Sequence, residues 1–552
     1  MKIKSNILIL VIIVMSCNSK ITNKEMEKEI KTPFVWEGAN LYFMLTDRFF
    51  NGDPTNDINF DRSEIPGKLR GFEGGDLKGV IKKIEEGYFT ELGINAIWMT
   101  PIVEQIHDGT DEGTGLSYGF HGYWAKDWTT LDPNFGTKED LKQLVELAHS
   151  KGIRIVLDAV VNHTGPVTEK DPVWPDNWVR TEPKCTFDSY ENTVSCTLVK
   201  NLPDILTESN ETVNLPPQLI EKWKAEGRYE QEISELDAFF IKTGYPRAPR
   251  FYIMKWLTDY ILEFGIDGYR VDTVKHTEEF VWQEFRILCD QSFAEWKTNN
   301  PEKVLDNNGF YLVGEVYNYN ISAGKAFDFG DKKVNYFDKA FNSLINFEIK
   351  WNSAQMDYES MFKKYSDTLN TNLKGYGVLN YLSSHDDGQP FDALRNKPFE
   401  TAIRLLLAPG TSQVYYGDES ARKLVVEGAI GDANLRSNMN WNDITSNPKT
   451  KEILTHWQKL GKFRAKHPSI GAGYHQMITQ SPYVFYRSYT KDDYNDLVVI
   501  GLDLPKGIKT INVSSVYEDG DQIHEAYSNQ NFIVKNGYLT IDTTYNIILL
   551  ER

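Results

Sequence analysis

The chain has 552 residues, which is enough for two or three domains and a large buried core. Its composition is ordinary for a globular protein, with many aromatic residues: 29 Tyr, 29 Phe and 13 Trp. The formal net charge of −18 argues against nucleic acid or an anionic lipid surface as the partner. Aromatic and carboxylate side chains without a basic patch suit an uncharged ligand.

The first residues predict an export signal. Lys2 and Lys4 precede an apolar run, residues 7–15, that is too short to span a bilayer but has the length of a signal-peptide core. The run ends in VMSC, which resembles a bacterial lipoprotein cleavage box with Cys17 as the lipidated residue; a plain secretory signal is the alternative. We expect residues 1–16 to be removed, residues 17–36 to form a polar tether, and the exported protein to be acyl-anchored to the bacterial outer membrane, on its periplasmic or surface face.

Strand and helix patterns alternate from residue 37 to residue 465. The predicted strands are LYFMLTDRF (41–49), INAIWMTPI, IRIVLDAVV, IDGYRVD, FYLVGEV, SLINFEI, YGVLNYLSSHDD and TSQVYYGDE. Helical patterns separate them, such as TKEDLKQLVELAHSKG, with Thr137 or Lys138 near its start and Gly152 past its end. Apolar strands with helical crossovers indicate a parallel sheet, and about eight of them predict an α/β fold, a (β/α)8 TIM barrel, in two pieces, 37–163 and 251–465.

Two further regions interrupt or follow the barrel pattern. Residues 164–250, after the third strand, are too many for an ordinary loop and are predicted to form an inserted subdomain. Beyond about residue 466 the pattern becomes β-rich, which predicts a separate antiparallel β-sandwich domain, 466–552. In the insertion, Cys185 and Cys196 lie close together in a turn-rich stretch and could form a disulfide in an oxidising compartment, whereas Cys289 lies in a helical pattern and is predicted to be buried.

Polar and acidic residues follow the predicted carboxyl ends of the barrel strands, where the catalytic groups of TIM barrels lie. They are Asp158, Asn162 and His163 after strand three, Arg270 and Asp272 after strand four, Glu315 after strand five, and His385, Asp386 and Asp387 after strand seven. An isolated Arg-x-Asp is more often a structural ion pair, but so many groups converging on one mouth favour a functional site. Clustered carboxylates divide into a proton donor and an ionised nucleophile, which is the equipment for breaking a glycosidic bond.

Several motifs carry a family resemblance. DAVVNH (158–163), GYRVDTVKH (268–276), GEVY (314–317) and SSHDD (383–387) fall on the expected strand ends, and LPDI (202–205), HGYWAKD (121–127) and GTSQVYYGDE (410–419) add weight. From about residue 41 to the C-terminus the chain resembles the α-amylase family of glycoside hydrolases (family 13), in its amylase and cyclodextrin glucanotransferase branch. The resemblance implies an enzyme that acts on α-glucans.

The resemblance also implies roles for individual residues. Asp272 would be the nucleophile that forms a covalent glycosyl-enzyme, Glu315 the general acid and then the base, and Asp386 the group that holds hydroxyls of the distorted sugar. The remaining substrate-binding residues would be Arg270, which orients Asp272, together with His163, His385, Tyr123, Asp158 and His121. Lys275 and His276 would contact the sugars in subsites +1 and +2, unless they only begin a capped helix. Such enzymes retain the anomeric configuration, with the two carboxyl groups about 5–5.5 Å apart.

Two groups of oxygen-bearing residues are calcium candidates. NGDPTND places Asn51, Asp53, Asn56 and Asp57 in one turn, which suits Ca2+ but also occurs in metal-free Asx-rich turns. This turn resembles the N-terminal calcium loop of cyclodextrin glucanotransferases, to which a later GGD, here Gly74, Gly75 and Asp76, contributes. The resemblance implies a second calcium held by Asn162, Asp204 and the main-chain carbonyl of His276. We therefore expect one or two structural Ca2+ ions.

The domain pattern narrows the expected activity. The single β-domain after the barrel is shorter than the tail of cyclodextrin producers, and no β-domain precedes the barrel as it does in cyclomaltodextrinases. We expect a monomeric, endo-type hydrolase of α-1,4-glucosidic bonds in starch, glycogen or maltooligosaccharides. A transglycosylase, or a cyclodextrin-acting or maltogenic hydrolase, is the alternative, because the same residues serve those reactions. A non-catalytic glycan-binding relative is disfavoured, since a pure binder gains nothing from three buried carboxylates.

Overall fold

The computed structural model describes residues 32–111 and 113–552. The predicted signal segment, Cys17 and most of the predicted tether lie outside the described residues. Among the helices of the described part, none combines the length and the apolar character needed to cross a bilayer.

Eight parallel strands close into the predicted barrel, and each strand pairs with its neighbours in chain order. The strands are β1 (Asn40–Met44), β2 (Ala96–Met99), β3 (Arg154–Ala159), β4 (Gly268–Val271), β5 (Tyr311–Gly314), β6 (Ser343–Asn346), β7 (Gly377–Tyr381) and β8 (Thr411–Tyr415). All eight are buried along their whole length, because helices and loops cover the outside of the barrel and side chains fill its interior.

The main helices are α1 (Leu77–Glu85), α2 (Lys138–Ser150), α3 (Pro217–Ala225), α4 (Tyr229–Thr243), α5 (Pro249–Phe264), α6 (Glu279–Asn299), α7 (Ile349–Gln355), α8 (Tyr358–Asn370), α9 (Pro398–Leu406) and α10 (Pro448–Lys466). Shorter helices span Thr46–Phe49, Tyr88–Glu91, Glu191–Val194, Tyr336–Lys339, Trp441–Ser446 and Ser469–Ala472. Local sequence explains several boundaries. Thr137 and Asp140 form a capping box at the start of α2, and Gly265 ends α5 in the left-handed conformation.

The first predicted strand is shorter than its sequence pattern. The strand ends at Met44, and Thr46–Phe49 is a short helix rather than a continuation of the strand. Buried polar groups explain the turn: Asp47 pairs with Arg48 and accepts hydrogen bonds from the main chain of Glu73 and Gly74, which fixes the chain at the rim of the barrel.

Packing begins before the predicted end of the tether at residue 36. The ring of Trp36 stacks on Tyr311 with ring centroids 3.9 Å apart, and the guanidinium of Arg154 lies 3.7 Å from the ring centroid of Phe34. The folded region therefore already includes the last residues of the segment predicted as a tether.

The insertion after β3 contains α3, α4 and a two-stranded ladder of Val179–Arg180 with Asp204–Ile205. Tryptophans join it to the barrel: Trp178 lies parallel to Trp256 of α5 at 6.5 Å, and Trp223 contacts the same ring edge-on at 6.2 Å. Cys185 and Cys196 form the predicted disulfide, and Cys289 is a buried free thiol in α6.

The C-terminal strands are β9 (Tyr474–Thr479), β10 (Tyr483–Lys491), β11 (Tyr494–Leu502), β12 (Gly507–Asn512), β13 (Gln522–Glu525), β14 (Gln530–Ile533), β15 (Tyr538–Thr543) and β16 (Ile548–Glu551). They form a six-stranded sheet, β9-β10-β11-β16-β13-β14, and a two-stranded sheet, β12-β15. Val484, Ile511, Ile541 and Leu550 are among the residues of a core that both sheets share, which is the predicted antiparallel sandwich.

Candidate active site

A cavity of about 620 Å³ opens at the carboxyl ends of the barrel strands. All of the predicted catalytic and substrate-binding residues except Arg270 and Asp158 line it: Asp272, Glu315, Asp386, His121, Tyr123, His163, Lys275, His276 and His385. Arg270 and Asp158 lie beneath the cavity floor and bond to its lining residues. Residues far apart in sequence thus meet at one mouth, as the strand-end rule predicts.

One arginine organises the floor of the cavity. Arg270 Nη1 lies 3.0 Å from Asp158 Oδ1 and 2.7 Å from Asp272 Oδ1, and Arg270 Nη2 lies 3.0 Å from Glu315 Oε1. A planar guanidinium presents several donors in fixed directions, so it holds these carboxyl groups in a defined arrangement. The Arg-x-Asp motif is therefore more than a simple ion pair, because one cation serves carboxyl groups from three strand ends.

Asp158 supports the floor instead of facing the cavity. Trp98 Nε1 donates to Asp158 Oδ2 at 3.1 Å, and the hydroxyl of Tyr123 donates to the same oxygen at 2.9 Å. Burial raises the pKa of Asp158, and Arg270 opposes that rise. These contacts fix the ring of Tyr123 at the cavity wall, nearly parallel to His385 with ring centroids 5.2 Å apart.

Glu315 has the environment of a proton donor. Burial raises its pKa well above the usual range; Arg270 opposes the rise, while Asp272 and Asp386 add to it. The main-chain N–H of Thr273 donates to Glu315 Oε2 at 3.0 Å and fixes the carboxyl group. A carboxyl group with a raised pKa beside a second carboxyl group is the combination used for acid catalysis at a glycosidic bond.

Asp386 lies at the cavity surface, with its side chain 33% exposed. Its Oδ1 is 3.7 Å from His385 Nδ1, and burial of the carboxyl group raises its pKa, which Arg270 and Arg436 oppose. The next residue, Asp387, has a different role from the one its motif suggests. It pairs with Lys350 and accepts a hydrogen bond from the hydroxyl of Tyr381 at 2.6 Å, so it is a structural group rather than part of the catalytic cluster.

The histidines of the cavity are neutral. Burial lowers the pKa of His121, His163 and His385 below the usual value for histidine. His163 Nε2 lies 3.1 Å from the main-chain oxygen of Tyr123, and the main-chain N–H of Tyr123 donates to His121 Nδ1 at 3.1 Å. Neutral imidazoles can exchange hydrogen bonds with sugar hydroxyls without adding charge to the site.

Lys275 and His276 line the cavity on the side of the insertion. Lys275 Nζ lies 5.3 Å from the ring centroid of Tyr317, and His276 Nδ1 is 3.1 Å from the main-chain oxygen of Thr193. Both residues belong to a short 3-10 helix, Val274–His276, and both also line the cavity, so the two alternatives stated for them are compatible. Sequence reasoning missed the aromatic Phe187, whose ring centroid lies 5.7 Å from that of His276. The residues around Phe187 carry no sequence pattern that indicates contact between the disulfide loop and the cavity mouth.

Sequence reasoning also missed a charged cluster in the wall of the cavity. Asp432 pairs with Arg70 at 2.9 Å and with Arg436 at 2.7 Å, and Arg436 Nε donates to the main-chain oxygen of His385 at 3.0 Å. Asp432 and Arg436 are four residues apart in GDANLR, after β8, and this i, i+4 pattern was the available signal.

The first predicted calcium loop forms a compact group of oxygens. Asn51 Nδ2 donates to Asp57 Oδ1 at 2.8 Å, and a Cβ on Gly74 would lie 2.5 Å and 2.7 Å from those two atoms. Within the described residues, the buried Asn56 Oδ1 has no hydrogen-bond donor. Hard oxygen groups around a glycine with positive φ fit a calcium ion.

The acidic residues of this loop have other partners. Asp53 pairs with Lys78 Nζ at 2.6 Å, and Asp76 accepts hydrogen bonds from the main chain of Gly52, Asp53 and Gly79. Over residues 32–111 and 113–552, no three His, Cys, Asp or Glu side chains are arranged to hold a metal. An ion at this loop would therefore depend on amide and main-chain oxygens as well.

The second predicted calcium group fits an ion less well. Arg180 Nε lies 2.8 Å from Asp204 Oδ2 and already supplies a positive charge, although Asp204 Oδ1 is buried without a hydrogen-bond partner in the described part of the chain. Asn162 Oδ1 accepts a hydrogen bond from the hydroxyl of Thr277, next to His276, at 3.2 Å.

Comparisons with known proteins agree with the barrel and its site. The alpha-amylase catalytic domain family matches residues 43–467. The chain is 33% identical over 535 residues to the periplasmic alpha-amylase of Escherichia coli, an alignment that covers 86% of this chain and 74% of the relative. It is 26% identical to the cyclomaltodextrin glucanotransferase of Geobacillus stearothermophilus, covering 82% of this chain and 58% of that protein.

Solved structures show the same architecture. An Anoxybacillus alpha-amylase superposes with a TM-score of 0.63 at 25% identity, covering 94% of this chain and 99% of that one. A three-domain cyclomaltodextrin glucanotransferase, CldA, shares the fold with a TM-score of 0.62 at 20% identity, covering 93% of this chain and 98% of that one. The chain therefore belongs to the alpha-amylase family, and it is a glycoside hydrolase of that type.

Proposed function

We propose that the protein hydrolyses internal α-1,4-glucosidic bonds of starch, glycogen or maltooligosaccharides with retention of configuration. Glu315 donates its proton to the glycosidic oxygen while Asp272 attacks the anomeric carbon, which releases the reducing-end fragment and leaves a glycosyl ester on Asp272. Glu315, now ionised, takes a proton from water, and the resulting hydroxide attacks the anomeric carbon and frees Asp272. Asp386 holds sugar hydroxyls at the bond that breaks.

The observation that supports this mechanism most directly is the bridge that Arg270 makes between Asp272 and Glu315. Two carboxyl groups on one guanidinium are compatible with the separation of about 5–5.5 Å that retention requires. The raised pKa of Glu315 provides the acid, and the contact with Arg270 at 2.7 Å orients Asp272 for attack. The neutral histidines and the ring of Tyr123 suit an uncharged sugar.

The catalytic roles predict the effect of two isosteric substitutions. Asp272→Asn and Glu315→Gln should each lower kcat on maltoheptaose by at least about 10³-fold, because each removes a group that forms or breaks bonds. Asp328→Asn, an exposed carboxylate in an ion pair with Lys333, is the matched control and should keep wild-type activity. Either catalytic variant turning over within about tenfold of wild type, with an unchanged melting temperature, would refute the assignment.

Transglycosylation is the second candidate. The cavity wall contains Phe187, Leu198, Val199 and Tyr317, apolar side chains that favour a sugar acceptor over water. A product time course on maltoheptaose, analysed by size, separates the candidates. Products no longer than the substrate identify a hydrolase, and their early pattern distinguishes endo from exo cleavage. Longer or cyclic products identify a transglycosylase.

We propose a structural calcium ion at the loop of Asn51, Asn56, Asp57 and Gly74, held by side-chain and main-chain oxygens. Added Ca2+ should raise the melting temperature of the chelator-treated protein, because an ion that binds only the folded state stabilises it. Asp57→Ala should abolish that rise, and Asp328→Ala should leave it intact. An unchanged melting temperature in the wild-type protein at millimolar Ca2+ contradicts the site.

We also propose that the protein is exported and anchored through Cys17, and that it works as a monomer on α-glucan. The signal-like N-terminus and the periplasmic relative support export. Cys17→Ser should move the protein from the membrane fraction to the soluble fraction of cells. Retention of that variant in the membrane fraction would argue for another anchor.

A further inference from the structure

A second cavity, of about 750 Å³, adjoins the catalytic one at the barrel mouth. The two share Tyr317 and Asn318, which follow β5. The second cavity continues past them to residues after β6 and β7, among them Phe347, Trp351 of α7 and Gln389. The catalytic mechanism does not use this space.

The walls of the second cavity have the composition of a sugar site. Trp351 is 44% exposed and Tyr317 is 41% exposed, although large aromatic side chains are normally buried. The ring of Tyr317 meets Phe347 edge-on at 5.0 Å, which steadies it. Asn318, Asn320 and Gln389 add amide groups that can exchange hydrogen bonds with hydroxyls.

The charged groups of this cavity compensate one another. Lys350 pairs with Asp387 and lies 5.0 Å from the ring centroid of Trp351, and Glu348 pairs with Lys364 at 2.5 Å and accepts from the hydroxyl of Ser322. A cavity with paired charges, exposed aromatic rings and amides suits a neutral polyhydroxylated ligand better than an anion or a cation.

The position of the cavity gives the direction of the ligand. Tyr317 follows Glu315 by two residues, lines both cavities and lies beneath Lys275 Nζ at 5.3 Å. Glu315 protonates the leaving fragment in the proposed mechanism, so the second cavity adjoins the acid side of the catalytic one. A glucan chain that extends from the catalytic cavity past Tyr317 places the units near its reducing end in the second cavity.

We propose that Trp351 forms a distal acceptor subsite, where it stacks on a glucose unit about three or more residues to the reducing side of the cleaved bond. The subsite rests on the proposed glucanase activity and extends it: the enzyme would prefer chains long enough to reach Trp351, and it would favour cleavage that places several units on the reducing side.

Trp351→Ala tests the subsite in the otherwise intact enzyme. It should lower kcat/KM on maltoheptaose about three- to tenfold, the value of one aromatic contact, and leave kcat/KM on maltotriose within about twofold of wild type. With reducing-end-labelled maltoheptaose, cleavage should shift toward bonds that leave fewer units on the labelled side. Tyr538→Ala, which removes an aromatic side chain 46% exposed on β15, is the matched control and should change neither value.

The outcomes separate the two proposals. A wild-type enzyme that does not cleave maltoheptaose overturns the proposed function. Trp351→Ala with wild-type cleavage frequencies, beside an active wild-type enzyme, overturns the subsite alone. An equal fall on both substrates would show a structural role for Trp351 and would also overturn the subsite. Trp351→Phe, which keeps an aromatic ring, should recover most of the preference for long chains.

Discussion

At the scale of single residues, the site depends on where one buried cation is placed. Arg270 holds Asp158 below the cavity and Asp272 and Glu315 at its floor, so that three carboxyl groups share one guanidinium. Removing one member of a buried ion pair lowers the free energy of unfolding by roughly 3–5 kcal/mol, because the other charge stays buried without a partner. The same burial that makes the cluster costly raises the pKa of Glu315, which suits its proposed role as the acid.

The raised pKa of Glu315 predicts the alkaline limb of the pH profile. The proposed mechanism needs Glu315 protonated, so kcat/KM should fall as pH rises through its pKa in the free enzyme, well above the usual range for glutamate. The measurement is kcat/KM on maltoheptaose from about pH 4 to about pH 9.

Lys275 is the competing source of such a limb, because burial lowers its pKa. If Glu315 is responsible, Lys275→Met should lower activity but keep the limb, moved toward higher pH because the lost cation no longer favours ionised Glu315. Loss of the limb in Lys275→Met would assign it to the lysine instead.

At the scale of elements, the insertion contributes to one wall of the cavity through a short loop that a disulfide closes. The disulfide between Cys185 and Cys196 closes the segment that carries Phe187, which has a positive φ of 61° and is 49% exposed. In the same segment, the main-chain oxygen of Thr193 lies 3.1 Å from His276 Nδ1. The backbone of Phe187 is strained and its ring is exposed. The disulfide-closed loop, and not burial of the ring, therefore keeps Phe187 at the cavity mouth.

Removing the disulfide should therefore affect stability and substrate binding together. We expect Cys185→Ser with Cys196→Ser to lower the free energy of unfolding by about 2–3 kcal/mol, by relaxing the unfolded chain, and to raise KM on maltoheptaose more than it changes kcat.

Thermal melting with and without reducing agent provides the control. The reducing agent should lower the melting temperature of the wild-type protein and leave the double variant unchanged. Equal sensitivity of both proteins would show that the effect arises elsewhere.

At the scale of the whole molecule, the barrel and the β-sandwich are joined by buried polar groups. Arg487 of β10 donates to the main-chain oxygen of Leu407, which follows α9 of the barrel, at 2.6 Å. His467, just after α10, bonds to Asp496 at 2.7 Å and to Glu551. Such contacts favour joint unfolding of the two domains.

The junction gives the protein a pH-dependent stability term. Hydrogen bonds from Asp496 and Glu551 outweigh burial and raise the pKa of His467 in the folded state. Its contribution is fully present below the unfolded pKa of about 6.5 and is lost as pH rises through the higher folded pKa. His467→Gln should therefore lower the melting temperature more at about pH 6 than at about pH 9. An equal loss at both values would show that the ion pairs contribute nothing beyond packing.

The amino-acid sequence alone predicted the barrel, the insertion, the β-sandwich and the strand-end residues that meet at the barrel mouth, and it offered the disulfide as a possible pairing. Strand and helix periods are local properties, and the strand-end rule converts chain positions into a shared mouth. Four features became visible only in the folded structure: the bridge from Arg270 to Glu315, the end of β1 at Met44, the pairing of Asp387 with Lys350 and the cavity at Trp351. Those features depend on side chains from different strands and loops, whose distances the order of residues along the chain does not specify.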